Sequence, residues 1–135
     1  MTATDSTETT ADHTKPWHLR NNRAPVFDEV TITNLEVKGA IPSELEGRYL
    51  RNGANPQTGQ SEHWFFGDGM IHGIELSGGR AGWYRNRYVR TPCHANPGVD
   101  RMEMYLDPET FEFNHEVGVA NTHVIGHAGM ILALE

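Results

Sequence analysis

Cysteine is almost missing from this chain. Cys93 is the single one in 135 residues, which excludes an intrachain disulfide and any zinc site built on paired thiolates. A reducing, cytosolic compartment is the expectation. Nowhere do about 18 apolar residues run together, so no membrane span is expected; attachment to a membrane surface stays open. Basic runs and stripes are missing too, and the net charge is −7. Nucleic acid is therefore not an expected partner. The opening "MTATDSTETTADHTKPWH" has neither the apolar core of a secretory signal nor the arginine bias of a transit peptide. Residues 1–24 read as a disordered or extended tail, because so polar a stretch cannot offset the entropy of ordering it. Residues 25–135 read as the folded portion.

Helical periodicity of useful length is also absent from "APVFDEVTITNLEVKGAIPSELEGRYLRNGANP", where short β-branched runs alternate with Gly, Pro and Asn. "GRYLRNG" reads as a strand and "NGANPQTGQSE" as a loop. "HWFF" and "MIHGIEL" flank "GDG", and "SGG" separates the latter run from "RAGWYRNRYVR", so two consecutive hairpins in a meander are expected. From "TPCHANPGVDRMEMYLDPETFEFNHE" a long loop is expected, with a helical turn or two at "DRMEMYL". The segment "VGVANTHVIGHAGMILALE" offers a third hairpin, Val117 to Ile125 and Met130 to Leu134, around "GHAG". The fold class is all-β, and regularly spaced hairpins suit propeller blades or barrels.

Several chemistries fail on spacing. Gly67, Gly69 and Gly73 are spaced G-x-G-x-x-x-G and lead into a β-type run, whereas a dinucleotide loop is G-x-G-x-x-G opening a helix. No Gly-Lys-Ser/Thr and no G-x-S-x-G occurs. The expectation for Gly67, Asp68 and Gly69 is a structural turn, with the glycines at positive φ and Asp68 accepting backbone amides. The eight histidines invite a metal reading, since imidazole is the commonest ligand. His123 and His127 are four apart, but on strand-like sequence interrupted by glycine and without the H-E-x-x-H glutamate. His63, His72, His94 and His115 have no ligand spacing, and no metal site is expected. Cys93 and His94 are adjacent, and neighbours on an extended chain point to opposite sides.

Taken in order, "VKGAIPSELEGRYLRNGANP", "HWFFGDGMIHGIEL", "YRNRYVRT" and "ANTHVIGHAGMILALE" strongly resemble the N-terminal portion of the carotenoid cleavage oxygenase family, which includes apocarotenoid- and stilbene-cleaving enzymes and the retinal-pigment-epithelium isomerase. The resemblance covers residues 25–135. Ala54 stands where the family usually has Pro, and Phe66 where Asp or Asn is common.

What the resemblance implies is the N-terminal part of a seven-bladed β-propeller, about two blades' worth of hairpins. The full-length enzymes hold a non-haem iron(II) by four histidines and use O₂ to cleave a conjugated C=C bond of an apolar polyene into two carbonyl products. Within that frame Trp64, Phe65 and Phe66 become candidates for the wall of the substrate tunnel, Phe65 foremost. None of the eight histidines falls on a family iron ligand; His127 matches a motif histidine that is structural there. Glu135 stands one place before the glutamate that orients a ligand imidazole, where stilbene-cleaving relatives carry a lysine for the substrate's phenolic oxygen. The expectation is a fragment without iron, without catalytic residues and inactive alone. Its unpaired sheet edges would favour aggregation over an isolated stable fold. The alternative is a stand-alone β-rich binding module.

Overall fold

Strand sequence and turn chemistry agree over the middle of the chain. The computed structural model describes residues 14–135; the start of the expected tail, residues 1–13, lies outside them. Strands β1 (Thr31–Ile32), β2 (Gly47–Ala54), β3 (Gly69–Ser77) and β4 (Arg80–Tyr88) form one antiparallel sheet in the order β1-β4-β3-β2. β3 and β4 join through Gly78 and Gly79, with φ of +53° and +74°. Consecutive positive φ values make a turn whose twist matches the flanking strands, which is the reason "SGG" punctuates the sequence there. A bulge between Ile74 and Leu76 shifts the register opposite Gly82 and Trp83.

One expected hairpin is not there. "HWFF" is no strand: Trp64–Phe66 form a 3-10 turn whose start is capped by His63, with the Phe65 amide donating to Nδ1 at 3.3 Å. The partner of β3 is β2, in register from Gly47↔Leu76 to Ala54↔Gly69, with residues 55–68 looping between them. The expected role of the glycines is corrected as well. Gly67 has φ −71°, and Gly69 and Gly73 are not among the positive-φ residues. Close approach selects glycine here instead. A Cβ on Gly69 would come within 2.2 Å of the Ala120 carbonyl oxygen, and one on Gly67 within 3.0 Å of Ala54 Cβ and Pro56 Cδ.

The segment Trp17–Arg23, expected to belong to the tail, folds into two 3-10 turns. Leu19 is buried there, and His18 Nε2 meets the Ser61 carbonyl at 3.0 Å. Burial of Leu19 and the His18 bond to the loop, with Trp17 edge-on against Trp64 at 5.2 Å, hold the segment against its polar composition. Beyond β4 come α1 (Pro92–Ala95) and α2 (Arg101–Tyr105). The Thr91 hydroxyl caps α1 and the Asp100 carboxylate caps α2; α2 is the expected helical turn. Strands β5 (His123–His127) and β6 (Met130–Leu134) pair around Ala128 and Gly129, at φ 48° and 78°. β5 starts later than the apolar run at Val117, because residues 118–121 cross behind β3 instead.

Four asparagines tie these pieces together. Asn86, fully buried, accepts from the Val30 amide at 2.7 Å and donates to the Asp28 carbonyl at 2.8 Å. Asn55 does the same for Val26, accepting from its amide and donating to its carbonyl, each at 2.7 Å. Asn52 donates to the Ala120 and His123 carbonyls, and Asn121 to those of Phe65 and Gly67. Replacing Asn86 by Ala strips the part-buried Val30 amide and Asp28 carbonyl of their partner and leaves a gap where the buried side chain stood. The expected loss is about 2–3 kcal/mol, read as a lower denaturant midpoint at unchanged slope.

Candidate functional site

Asp68, 1% exposed, is the most deeply placed charge among the described residues. Glycines on both sides let the chain pass close enough to its neighbours to bury it. Its Oδ1 accepts from Arg101 Nη2 at 2.9 Å and its Oδ2 from the Gln57 amide at 3.1 Å. Its backbone carbonyl accepts from the Asn55 amide at 2.7 Å. Arg101 turns its other terminal nitrogen to the Cys93 carbonyl at 2.6 Å. Asp68 does accept a backbone amide, as expected, but its principal partner is a cation from α2. Such a pair gives little net stability over an apolar pair of the same shape, yet either charge left alone in the interior is costly.

A groove of about 890 Å³ opens beside this pair. Leu19, Phe27, Pro56, Phe66, Asp68 and Arg101 contribute to its wall. Of the three aromatics proposed for a tunnel, Phe66 alone lines the groove. Trp64 packs edge-on against Trp17 at 5.2 Å and stacks on Phe65 at 5.8 Å, and Phe65 is 63% exposed. Behind the turn, Asn121 holds the Phe65 and Gly67 carbonyls at 2.8 and 2.7 Å. The turn is thus fixed from its backbone side and presents its first two rings outward.

Several of the histidines do local work. His63 caps the aromatic turn, and His94 meets Arg90 Nη1 at 3.0 Å. His72 Nδ1 meets the Tyr84 hydroxyl at 2.8 Å. His123 and His127 stand at opposite ends of β5, both exposed. Among the described residues no three His, Cys, Asp or Glu side chains come together as a metal site. Burial pushes the Cys93 thiol up, which favours the unreactive protonated form.

Sequence reading missed Arg101, Asn121 and Tyr105. Tyr105 donates its hydroxyl to Glu135 Oε1, while Glu135 Oε2 accepts from the Val119 amide at 3.0 Å. Burial and then the Glu135 bond raise the Tyr105 hydroxyl well above its ordinary range. The density of Asn in "RNGANP", "YRNRY" and "ANTH" was the one signal for the staples. No local pattern pairs Asp68 with a residue 33 places away.

Comparison with known proteins gives this arrangement its family. The profile of the retinal pigment epithelial membrane protein family matches residues 23–135. The chain is 46% identical over 120 residues to a carotenoid cleavage oxygenase of Mycobacterium tuberculosis, covering 87% of this chain and 23% of that protein. It is 35% identical to a carotenoid 9,10(9',10')-cleavage dioxygenase of Crocus sativus, covering 91% of this chain and 27% of that one. Among solved structures, a variant of the Synechocystis apocarotenoid oxygenase superposes with a TM-score of 0.65 at 22% identity, over 82% of this chain and 26% of its own. A Pseudomonas brassicacearum lignostilbene dioxygenase gives 0.59 at 27%, over 82% and 25%. The four-stranded sheet and the β5–β6 hairpin thus form the N-terminal part of the carotenoid-oxygenase β-propeller. The chain belongs to the retinal pigment epithelial membrane protein family, and it spans about a quarter of the length of these four relatives.

A cobalt-substituted form of the Synechocystis enzyme is also a neighbour, with a TM-score of 0.64, so that relative holds a metal. The described residues of this chain do not fit one: the clustered polar groups are one carboxylate paired with one guanidinium, and the histidines stand apart.

Two outcomes follow from this geometry. Asp68→Ala leaves the Arg101 charge unpaired and should cost about 3–5 kcal/mol, whereas Asp68→Ala with Arg101→Met should recover a good part of it; denaturant unfolding of both variants checks this. Burial first, and Arg51 second, depress the His72 pKa. The unfolded chain therefore takes up that proton before the folded one. Stability is full above the ordinary histidine pKa of about 6.5 and declines as pH falls below it, and His72→Gln should flatten that part of a stability–pH profile.

Proposed function

We propose that this chain is the N-terminal portion of an iron(II)-dependent oxygenase that cleaves a conjugated C=C bond of an apocarotenoid. One O₂ supplies the oxygens of the two carbonyl products. The observation that carries the reading is the 46% identity, across 87% of the chain, to a carotenoid cleavage oxygenase. In this reading the iron ligands come from the rest of the whole protein. Residues 14–135 supply scaffold and one wall of the substrate path. Phe66, on the groove, is the aromatic we place nearest the polyene, with Phe65 and Trp64 at its mouth. A cytoplasmic location accords with a single, buried cysteine. An apolar polyene partitions into membranes, so peripheral membrane contact of the whole protein belongs to the same proposal; among the described residues no helix is long and apolar enough to cross a membrane.

Glu135 bears on the substrate. Both its carboxylate oxygens are engaged, by Tyr105 and the Val119 amide, and a carboxylate repels a phenolate. Recognition by apolar contact along a tunnel loses nothing by that. The whole protein, iron-loaded and given an apocarotenal and a hydroxystilbene in parallel, should turn over the apocarotenal faster, with the carbonyl products identified by mass. Faster cleavage of the stilbene would sink the substrate assignment. Absence of both activities in the loaded protein would favour the β-rich binding module instead. The 135-residue chain alone, purified anaerobically without chelator, should hold well under one iron per chain by elemental analysis; stoichiometric iron lost on mutating His123 or His127 would overturn the assignment of ligands elsewhere.

A further inference from the structure

The groove beside Asp68 and Arg101 is a concavity of this chain's own making. Its wall is drawn from the Leu19 turn, Phe27, the loop between 56 and 62 with Phe66, and residues 97–101, so separate stretches of one polypeptide border it. Leu19, Phe27, Phe66 and Val99 supply apolar surface. Lys15, Glu62 and Asp100 line it as well, but all three are exposed. Arg101 and Asp68 are different: their side chains are 11% and 2% exposed, which makes them the fixed polar feature of the wall. An apolar pair of the same shape would serve the fold about as well. Stability alone therefore gives no reason for a guanidinium at this place.

The bonding of that guanidinium is incomplete. Arg101 Nη1 donates to the Cys93 carbonyl at 2.6 Å and reaches the Asn96 carbonyl at 3.4 Å, and Nη2 donates to Asp68 Oδ1 at 2.9 Å. The Nε N–H has no such partner among the described residues. Every fully buried side-chain nitrogen there is satisfied, so Nε lies on the accessible side of the group. Asp68, by contrast, has both oxygens engaged, by Arg101 and by the Gln57 amide. The groove thus offers a donor, held rigid by three bonds, in a wall that is otherwise apolar or mobile at its rim. A site of this make-up fixes a mostly apolar ligand by one polar contact.

We propose that Arg101 is a specificity-determining residue, whose Nε N–H donates to an oxygen on the terminal ring of the polyene. The identity of the ligand rests on the oxygenase reading above; the choice of contact rests on the groove. At about 890 Å³ the cavity is near the upper end of pockets that enclose a whole small ligand, which suits a bulky ring rather than a slender aldehyde tip. A guanidinium only donates. The favoured substituent is therefore one that accepts, a ring ketone above all, and anchoring the ring there sets how far the conjugated chain extends toward the reacting centre.

The test uses the iron-loaded whole protein. Kept free of O₂, it is titrated with two apocarotenals of equal length that differ by a ketone on the ring, binding being read from quenched tryptophan fluorescence. With O₂ admitted, kcat/KM for the same pair is read from the carbonyl products. The ketone should tighten binding and raise kcat/KM about tenfold, the worth of one hydrogen bond from a charged donor. Arg101→Lys keeps a cation for Asp68 but has no Nε and no planar fork, and the gain should fall to about twofold or less. Asp68→Ala with Arg101→Met removes the pair and should bring the ratio to about one. Lys15→Gln removes the exposed cation of the same wall and should leave the ratio unchanged. Denaturant midpoints check the folding of each variant, and should Arg101→Lys not fold, the double variant decides. Equal binding of the two apocarotenals, a ketone gain that survives both Arg101 variants, or a gain lost with Lys15→Gln instead would overturn the proposal. So would a gain for a ring hydroxyl without one for the ketone, which would make Asp68 the reading group. Affinity is read without turnover, so absence of products with O₂ would count against the oxygenase reading and leave the Arg101 contact to be judged by binding.

Discussion

The backbone at Asp68–Gly69 is where the separate parts of this chain meet. The Gly69 amide donates to the Val119 carbonyl at 2.8 Å, and its carbonyl accepts from the Val89 amide at 2.8 Å. One residue earlier, the Asp68 carbonyl takes the Asn55 amide and its side chain takes Arg101. Four stretches far apart in sequence therefore converge on two residues: the end of β2, the exit of β4, α2, and the strand-like segment leading to β5. The crossing works only without a Cβ, since the Ala120 carbonyl already occupies that space. A larger residue would push the 118–121 segment off β3 and free Asn121 from the aromatic turn.

Around that crossing the fold relies on polar closure more than on apolar mass. Among the described residues the buried hydrophobic side chains are few, namely Leu19, Met70, Tyr88, Cys93 and Val119, whereas Asn55, Asp68, Asn86 and Asn121 are equally buried. No buried side-chain nitrogen or oxygen among the described residues lacks a partner. A satisfied polar network of this kind specifies one arrangement, because any slip leaves donors unpaired in a low dielectric. Many large apolar side chains stay exposed, among them Phe65, Phe111, Phe113 and Met130. Contiguous apolar exposure marks surfaces that other elements cover. That accords with a chain spanning about a quarter of the relatives it matches.

What could be read beforehand follows the range of the interactions. β3 and β4 were legible because the apolar runs and the Gly78–Gly79 turn are local signals. The β5–β6 hairpin was legible for the same reason, apart from its first residues. The "HWFF" strand failed because alternation says nothing about a histidine that caps a turn. The positive-φ reading of Gly67 and Gly69 failed because close approach is a property of two segments and appears in neither alone. The 3-10 turns at Trp17–Arg23 looked like tail for a similar reason, since Leu19 finds its burial through contacts distant in sequence.

The motifs that identify the family turn out to be largely architectural. "RNGANP" contributes Asn52 and Asn55, "FGDGM" contributes Gly67, Asp68, Gly69 and Met70, "YRNRY" contributes Asn86 and Tyr88, and "ANTH" contributes Asn121. Each of these residues holds a backbone or fills the interior at the crossing. Recognition of the family and location of its chemistry are therefore separate questions in this chain. A residue that ties two distant segments admits few substitutes, because its neighbours fix its length, its donors and the space for its Cβ. Residues that merely line a groove, such as Phe66, face a looser demand of shape and polarity, and several side chains meet it. Strong likeness over residues 23–135 thus specifies how the polypeptide crosses itself more sharply than it specifies what the groove accepts.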